Sequence, residues 1–231
     1  VIDADFDAVI VNPSDEELAE FGKRVRDESA HRTQLRKLRG KIARTRDGIA
    51  IELQANIELP EDARDALEVA PDLLGKRLCR GDVVLRISEV EAYCHPDDSA
   101  NHCRMGLTPR NAPMWGPPGH AYVYLCYGMH QMLNLVTNRD GEGAAVLIRS
   151  CEPVAGLELI QERRGGSVGP NALNGPGKVG AALGLSTGCS GQPLFDRSDL
   201  YVLNAAPPER CLVGPRVGIA YATPAHQRAP W

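Results

Sequence analysis

The chain is poor in aromatic residues, which make up 5% of its 231 positions. It also lacks an apolar stretch long enough to cross a bilayer, and no secretory signal is recognisable, so no membrane role is expected. The few rings are unevenly placed, because four of the six tyrosines fall between Tyr93 and Tyr127. A chain with so few rings that concentrates them in one stretch is predicted to build a pocket for a flat ligand.

The cysteines lack the spacing of a disulfide framework or a zinc site. All seven lie between Cys79 and Cys211, their number is odd, and no two are spaced as CxxC. This cysteine pattern predicts that the protein resides in a reducing compartment. The pairs Cys94-His95 and His102-Cys103 could supply four metal ligands, but zinc sites usually separate paired ligands by two or more residues. We therefore expect no metal ion.

Positive charge is not in excess. The formal net charge is -4, which does not favour a nucleic-acid partner. Residues 1–68 hold 11 basic and 16 acidic side chains, and the remainder holds 15 basic and 14 acidic, so the acidity belongs to the first part. Phosphate contacts of the second part would have to come from the local arrangement of individual basic side chains. The candidates are Arg104, Arg110, Arg149, Lys178 and Arg216.

The stretch Val83–Tyr93 alternates apolar and polar residues, which predicts a strand. Alternation at period two puts Glu89, Glu91 and Tyr93 on one face of it. A second run at residues 120–126 repeats the pattern with tyrosines and ends in Tyr127-Gly128, a predicted hairpin tip. Carboxylates and rings on strand faces indicate acid/base chemistry on a stacked ligand.

The order of predicted elements is typical of an α+β fold. We predict a charged helix from Ser14 to about Leu38, opened by a capping box with Glu17. Short helices are predicted at 60–67 and 71–74, and further helices at 154–164 and 177–183. Residues 94–119 form a long loop of the kind that usually carries function. Further strands are predicted at 9–11, 49–53, 77–80, 129–137 and 144–149.

Five blocks of the second part, taken in order, resemble the alkyladenine (3-methyladenine) DNA glycosylase family. They are EVEAYCHPDDSANH, TPRNAPMWGPPGHAYVYLCYGMHQMLN, AAVLIRSCEPVAG, NGPGKVGAALGLS and PRVGIAYA. The resemblance covers about residues 69–231. It implies a mainly antiparallel curved sheet with flanking helices and a protruding hairpin that inserts into DNA. It also implies an enzyme that flips and hydrolytically excises alkylated or deaminated purines from duplex DNA, leaving an abasic site.

The resemblance further implies a monomer without cofactor or metal. An intracellular location is expected, in the cytoplasm or nucleoid of a bacterium or the nucleus of a eukaryote. The family normally continues through a further strand beyond the position of Trp231, so we expect a C-terminally shortened domain. No lysine lies between Leu78 and Arg164, so a lyase reaction has no obvious Schiff-base nucleophile.

Residues 1–67 resemble another family, the linker region of enzyme I of the sugar phosphotransferase system. The resembling segments are VIVNPSDEELAEFGKRVRDESAHRTQLRKLRGK and GIAIELQANIELPEDARDAL. The phosphohistidine motif of that family is absent, so this part is expected to carry no chemistry. We therefore interpret the chain as a fusion of an enzyme I-like segment, residues 1–67, with a glycosylase-like domain, residues 68–231.

Carried over residue by residue, the resemblance implies a catalytic set of Glu91, Arg149 and Val217. Glu91 would be the base, Arg149 would hold the nucleophilic water and fix Glu91 in its ionised form, and the carbonyl of Val217 would contact that water. By position alone Glu89 is a rival to Glu91. By residue matching Glu91 is favoured, and Glu89 is expected to be structural.

The same comparison implies a base pocket and a set of DNA contacts. Tyr93, Tyr124 and His102 would wall the pocket, with His102 as the hydrogen-bond partner of adenine-type lesions and Asn134 as the residue that disfavours guanine. Tyr127 would fill the hole left by the flipped nucleotide, with Met129 and Met114 as wedges in the minor groove. Arg110 and Lys178 would contact phosphate.

Two other interpretations stay open on the sequence alone. The chain could recognise lesions without cleaving, because fusion and shortening have disturbed the site. It could also be a phosphotransferase-system fragment, against which the missing phosphohistidine motif counts strongly.

Overall fold

The structure is a computed structural model that describes residues 2–3, 8–9, 43–44, 50–51 and 63–231. The chain divides into two compact units, Val1–Leu53 and Gln54–Trp231. The described residues of the first unit form two antiparallel pairs of strands, β1 (Ile2–Asp3) with β2 (Ala8–Val9) and β3 (Ala43–Arg44) with β4 (Ala50–Ile51). The predicted charged helix and the predicted helix at 60–67, up to residue 62, lie outside the described residues.

The second unit is built on a six-stranded sheet in which every neighbouring pair is antiparallel. Together with its helices this confirms the α+β prediction. In sheet order the strands are β10 (Leu200–Leu203), β5 (Arg77–Arg80), β6 (Val83–Tyr93), β9 (Ala145–Ala155), β8 (His130–Val136) and β7 (Ala121–Cys126).

Four helices of the described residues accompany this sheet. They are α1 (Ala66–Leu73), α2 (Leu157–Arg163), α3 (Pro176–Ala182) and α4 (Pro224–Arg228). The sequence did not predict β10 or α4, and β9 runs six residues beyond its predicted end at Arg149. The long loop at 94–119 contains two short 3-10 turns, His102–Met105 and Ala112–Trp115. No helix among these described segments is long and apolar enough to span a membrane.

The main core lies between the sheet and helices α1 to α3, on what we call the helix face. Its members include Ala70 of α1, Ile160 of α2 and Val179 of α3, packed with Leu85 and Ile148 of the sheet. Helix α3 comes so close to β8 that a Cβ at Gly180 would lie 2.0 Å from the Gln131 carbonyl oxygen. Glycine is therefore required at that contact.

The opposite face of the sheet is covered by the loop at 94–119, and we call it the loop face. Here Cys103 and Met114 of the loop pack with Tyr122, Val136 and Ala145 of the sheet. Because side chains alternate between faces along a strand, strands β6 to β9 contribute to both clusters. Val123 of β7, for example, belongs to the helix-face core, while Tyr122 belongs to the loop face.

The ladder between β6 and β9 is offset between Val84 and Leu85 and twice more between Ile87 and Val90. Ile87 pairs with Cys151 and Glu89 with Ser150, so Ser88 has no partner. Glu89 pairs with Ser150 and Val90 with Ile148, so Arg149 has no partner either. An extra residue of this kind bends a strand and changes where the following side chains point.

The N-terminal end of α1 lies across the predicted domain boundary at residue 67. The Asp65 carboxylate caps the helix by accepting from the N–H groups of Leu67 and Glu68, at 2.9 and 3.1 Å. The Arg64 side chain pairs with Asp72 at 2.6 Å. The second unit therefore begins before the boundary that the sequence predicted.

A chain beginning at Glu61 should be more stable than one beginning at Glu68, because only the longer one keeps the Asp65 cap. Loss of a capping side chain costs about 0.5–2 kcal/mol, measurable as a lower urea midpoint. The Asp65→Ala variant of the longer chain is the matched control and should show most of the same decrease. Equal midpoints for the two lengths would show that the cap contributes nothing.

Candidate active site

Four side chains form a row across the loop face of the sheet. Tyr122 of β7 pairs with Asn134 of β8, Asn134 with Leu147 of β9, and Leu147 with Glu91 of β6. Directly paired residues share a face, and strands lie about 4.8 Å apart. The register therefore aligns Glu91 with Asn134 and Tyr122, three of the polar side chains that line this face.

The Glu91 carboxylate is buried, with 2% of the residue exposed, and three donors surround it. Its Oε1 accepts from the Tyr93 hydroxyl at 2.6 Å. Its Oε2 accepts from the backbone N–H of Val217 at 3.2 Å and forms an ion pair with Arg149 at 3.1 Å. A buried charge needs such partners because it has lost its water, so the site is built to hold a carboxylate here.

Glu89 also pairs with Arg149, but its surroundings differ. Arg149 Nε lies 3.2 Å from Glu89 Oε1, and the Ser150 hydroxyl donates to Glu89 Oε2 at 2.7 Å. The Glu89 side chain is half exposed. Arg149 thus bridges both glutamates, and Glu91 is the one enclosed among protein donors.

Burial raises the pKa of Tyr93 far above its ordinary value, and the neighbouring Glu91 carboxylate raises it further. The hydroxyl therefore stays protonated and remains a donor to Glu91 at any physiological pH. Tyr93 was expected as a pocket wall, and this contact gives it a second connection, directly to the candidate base.

A second group on the loop face is made of His102, Tyr122 and Tyr124. The rings of His102 and Tyr124 meet edge to face at 4.6 Å between centroids, and those of Tyr122 and Tyr124 lie 5.5 Å apart. Nδ1 of His102 lies 3.2 Å from the Tyr122 hydroxyl. Sequence reasoning did not single out Tyr122, although the alternation Tyr122-Val123-Tyr124 places it on the same face as Tyr124.

Burial lowers the pKa of His102, and the charges of Arg110 and Arg104 lower it further. At neutral pH the ring is therefore an uncharged imidazole with one donor and one acceptor nitrogen. An open cavity of about 200 Å³ adjoins it, lined among others by Tyr122, Thr108 and Asn111. Glu91 does not line this cavity.

The turn between β7 and β8 projects two large side chains. Tyr127 is 86% exposed and Met129 is 70% exposed. Tyr127 and Gly128 both have positive φ, at 51° and 71°, and the N–H of Met129 donates to the Cys126 carbonyl at 3.1 Å. Three residues, Tyr127 to Met129, thus connect the paired Cys126 and His130 in a tight turn.

Two further candidates sit at the flanks of this hairpin. Arg110 donates to the Leu125 carbonyl at 3.1 Å, and its guanidinium carbon lies 6.0 Å from the centre of the Tyr124 ring. Lys178, in the first turn of α3, donates to the Asn171 carbonyl at 3.0 Å. A Cβ on the neighbouring Gly177 would touch His130 at the start of β8, so α3 begins beside the hairpin.

Comparison with known proteins identifies the family of this chain. A model of the methylpurine-DNA glycosylase (MPG) family matches residues 61–231. A DNA-3-methyladenine glycosylase of Arabidopsis thaliana is 61% identical over 169 residues, which cover 72% of this chain and 66% of that protein. The chain belongs to the methylpurine-DNA glycosylase family.

Relatives from Nitrosococcus oceani and Methanocella arvoryzae, both named for 3-methyladenine DNA glycosylase, agree with this membership. The first is 63% identical over 169 residues, covering 73% of this chain and 84% of the relative. The second is 44% identical over 171 residues, covering 71% and 86%. The resemblance recognised in the sequence is confirmed. The comparisons bring no support for the enzyme I resemblance of residues 1–67, which stays a prediction.

Two residues expected to touch DNA in this methylpurine-DNA glycosylase chain are placed differently by the structure. Met114 is 2% exposed and packs inside the loop-face cluster, so the expectation that it is a wedge in the groove is wrong for this conformation. Arg216 is 7% exposed and forms an ion pair with Asp98, so it has no surface to offer to a phosphate. Neither position is distinguishable from a surface residue by sequence pattern.

The possible metal ligands do not assemble. Within residues 63–231 and the four short strands described, no group of three His, Cys, Asp or Glu side chains could hold a metal ion. His95 instead stacks edge to face on Trp115 at 5.1 Å.

The Glu91→Gln variant should lose base release by about 10²–10⁴-fold, the usual contribution of a general base, while keeping lesion binding. Glutamine has nearly the same shape, but it removes the charge and replaces one acceptor oxygen with an NH2 donor. Glu89→Gln is the matched control, because it lies on the same strand and also pairs with Arg149. Single-turnover rates on a lesion duplex decide the assignment, which is reversed if Glu89→Gln alone abolishes release.

Proposed function

We propose that this chain flips alkylated or deaminated purines out of duplex DNA and hydrolyses the bond between base and sugar, leaving an abasic site. Membership of the methylpurine-DNA glycosylase family makes it a monofunctional DNA repair glycosylase. The observation that carries the proposal for the site is the enclosure of Glu91 by Tyr93, Arg149 and Val217.

In the proposed reaction Glu91 takes a proton from a water molecule whose oxygen attacks C1′ of the sugar. The bond from C1′ to the base nitrogen breaks, and its electron pair leaves with the base. A carboxylate has about four lone-pair positions. Hydrogen bonds from Tyr93 and Val217 occupy two of them and Arg149 balances the charge, which leaves room for the water. Its negative charge also stabilises the oxocarbenium-like sugar that forms as the base departs.

The contact that Val217 makes with the site differs from the one that the resemblance implied. The sequence comparison implied a contact through its carbonyl with water, whereas the recorded contact is its N–H to Glu91. The carbonyl role stays a proposal. The N–H contact holds the carboxylate in a fixed orientation, which is what a base that must meet a water needs.

The pocket is proposed to accept electron-poor purines between Tyr93, Tyr124 and the neutral ring of His102. A positively charged alkylated base is attracted to the electron-rich faces of tyrosines. The imidazole of His102 can serve adenine-type lesions with one hydrogen bond. Asn134, whose amide donates to the Tyr122 carbonyl at 3.1 Å, is proposed to exclude guanine by crowding its amino group.

Tyr127 and Met129 are proposed to enter the duplex from the minor groove and fill the vacated stack. Their exposure on a tight turn supports this, since an apolar tip otherwise faces water. Arg110 and Lys178 would meet phosphates on either side. We further propose that the enzyme acts as a monomer, inside the cell, where its DNA substrate is.

A lesion-binding protein without catalysis is the alternative of a different class. The intact set of Glu91 with its three partners argues against it. A phosphotransferase role has no support.

Base release from duplexes carrying hypoxanthine or ethenoadenine tests the function. We expect free base and an abasic site, seen as a strand break after alkaline treatment, with no break before it. Tight binding of these duplexes without release by the wild type would favour the lesion-binding alternative.

Replacing Tyr127 with serine should weaken flipping. Unstacking costs a few kcal/mol, and a stacked ring recovers about 1–3 kcal/mol of it, so the loss should be larger for well-paired lesions than for mismatched ones. The emission of ethenoadenine reports the flipped fraction directly. Tyr127→Phe keeps the ring at the same backbone geometry and should behave as wild type. Equal flipping by the serine variant on a well-paired substrate would remove Tyr127 from this role.

A further inference from the structure

The Arg216 guanidinium uses all five of its N–H groups inside the protein. Nη1 and Nη2 each donate to one oxygen of Asp98 at 2.7 Å. Nη1 also donates to the Ala92 carbonyl at 3.1 Å, while Nε and Nη2 donate to the His226 carbonyl at 3.2 and 3.1 Å. Since arginine has five donors, none is left for another partner.

Both oxygens of the Asp98 carboxylate are likewise fully hydrogen-bonded within the protein. Besides the two bonds from Arg216, its Oδ1 accepts from the N–H of Ala100 at 2.9 Å and its Oδ2 from the N–H of Cys94 at 3.2 Å. Both side chains of the pair are fully buried. A buried ion pair stabilises a protein little more than apolar packing would. The presence of this pair therefore needs an explanation other than stability.

The pair is connected to Glu91 at three points. The Ala92 carbonyl that Arg216 binds belongs to the residue directly after Glu91. The ring of Tyr93, whose hydroxyl donates to Glu91, has its centre 5.3 Å from the guanidinium carbon. Val217, whose N–H donates to Glu91, directly follows Arg216 in the chain. Of the three donors to Glu91, only Arg149 is independent of Arg216.

The guanidinium is also held by the C-terminal part of the chain. The Trp231 ring centre lies 4.9 Å from the guanidinium carbon, and both Nε and Nη2 are tied to the carbonyl of His226 in α4. The planar group thus has aromatic rings and hydrogen bonds that leave one orientation. A lysine would keep the charge but lose the planar fork.

We propose that the Arg216–Asp98 pair is a positioning element for the catalytic carboxylate. It holds the Tyr93 hydroxyl and the Val217 N–H on Glu91, and it thereby sets the direction in which Glu91 meets the water. The inference rests on the proposed function, in which Glu91 is the base. It assigns to Arg216 and Asp98 an effect on the rate of bond cleavage rather than on binding of the lesion.

The test uses the full chain with Arg216→Lys and with Asp98→Asn, a nearly isosteric change that serves if the lysine variant does not fold. Small displacements of a positioned group can cost about 100-fold in rate. We expect a loss of that order in the single-turnover rate constant on an ethenoadenine duplex at saturating enzyme, with unchanged affinity for the duplex. At saturation this rate constant does not depend on how much of the enzyme is folded.

The matched control is Arg80→Lys, because Arg80 also pairs with an aspartate, Asp199 at 2.9 Å, and with the carbonyl of Leu183. It lies on β5, away from Glu91. It should lower the unfolding midpoint and leave the rate constant unchanged. The double variant of Arg216 and Asp98 should be no slower than the slower single variant, because both act through one contact.

A readout without turnover completes the test. Amide hydrogen exchange at Val217, followed by NMR, should become faster in Arg216→Lys and Asp98→Asn and stay unchanged in Arg80→Lys. Unchanged exchange at Val217, an unchanged rate constant, or an equal loss of rate in the Arg80 control would each overturn the proposal. If the wild type releases no base, the proposed function fails, and the exchange at Val217 still decides whether the pair positions that amide.

Discussion

The candidate site depends on two residues that the β6–β9 ladder leaves without partners, Ser88 and Arg149. Before the offset, Leu85 and Ile87 of β6 face the helices, and after it Val90 and Ala92 do. The offset therefore turns Glu91 to the opposite face. Without it, strict alternation would direct Glu91 into the helix-face core, where an unpaired carboxylate would cost several kcal/mol.

The neighbouring offset, in β9, places Arg149 where it can serve two carboxylates. As an extra residue in β9 it is free of the ladder's pairing, and its guanidinium reaches both Glu89 and Glu91. Bulges often redirect a side chain in this way beside active sites. The charge of Arg149 balances the buried carboxylate, and the half-exposed Glu89 then orients Arg149 from outside. These two adjacent offsets thus bring together the candidate base, its counter-charge and Glu89, which holds the counter-charge in place.

Much of this could be predicted from local pattern. Alternation and flanking turn residues gave β6 its observed limits, Val83–Tyr93, and put Glu89, Glu91 and Tyr93 on one face. The offset itself could not be predicted, because no glycine or proline marks it. Arg216 was misjudged since its partner Asp98 is 118 residues away along the chain, and only folding brings them together. The exposure of Met114 was predicted wrongly, because the sequence does not show whether an apolar residue in a loop is covered or exposed.

The positive charges of the second unit divide between two tasks. Arg149 and Arg216 are committed to carboxylates within the protein, while Arg110 and Lys178 lie near the hairpin and bond to backbone carbonyls. The second unit, Gln54–Trp231, holds 16 basic and 19 acidic side chains. Its bulk charge therefore does not attract DNA, and attraction to phosphate depends on where individual cations lie.

The hairpin tip already carries a conformational cost in the protein without DNA. Tyr127 has a φ of 51°, a backbone state that costs a side chain with a Cβ about 1–2 kcal/mol. That cost is met once, when the chain folds. If Tyr127 enters the duplex as proposed, its backbone already has the shape it needs there, so binding does not repeat the cost.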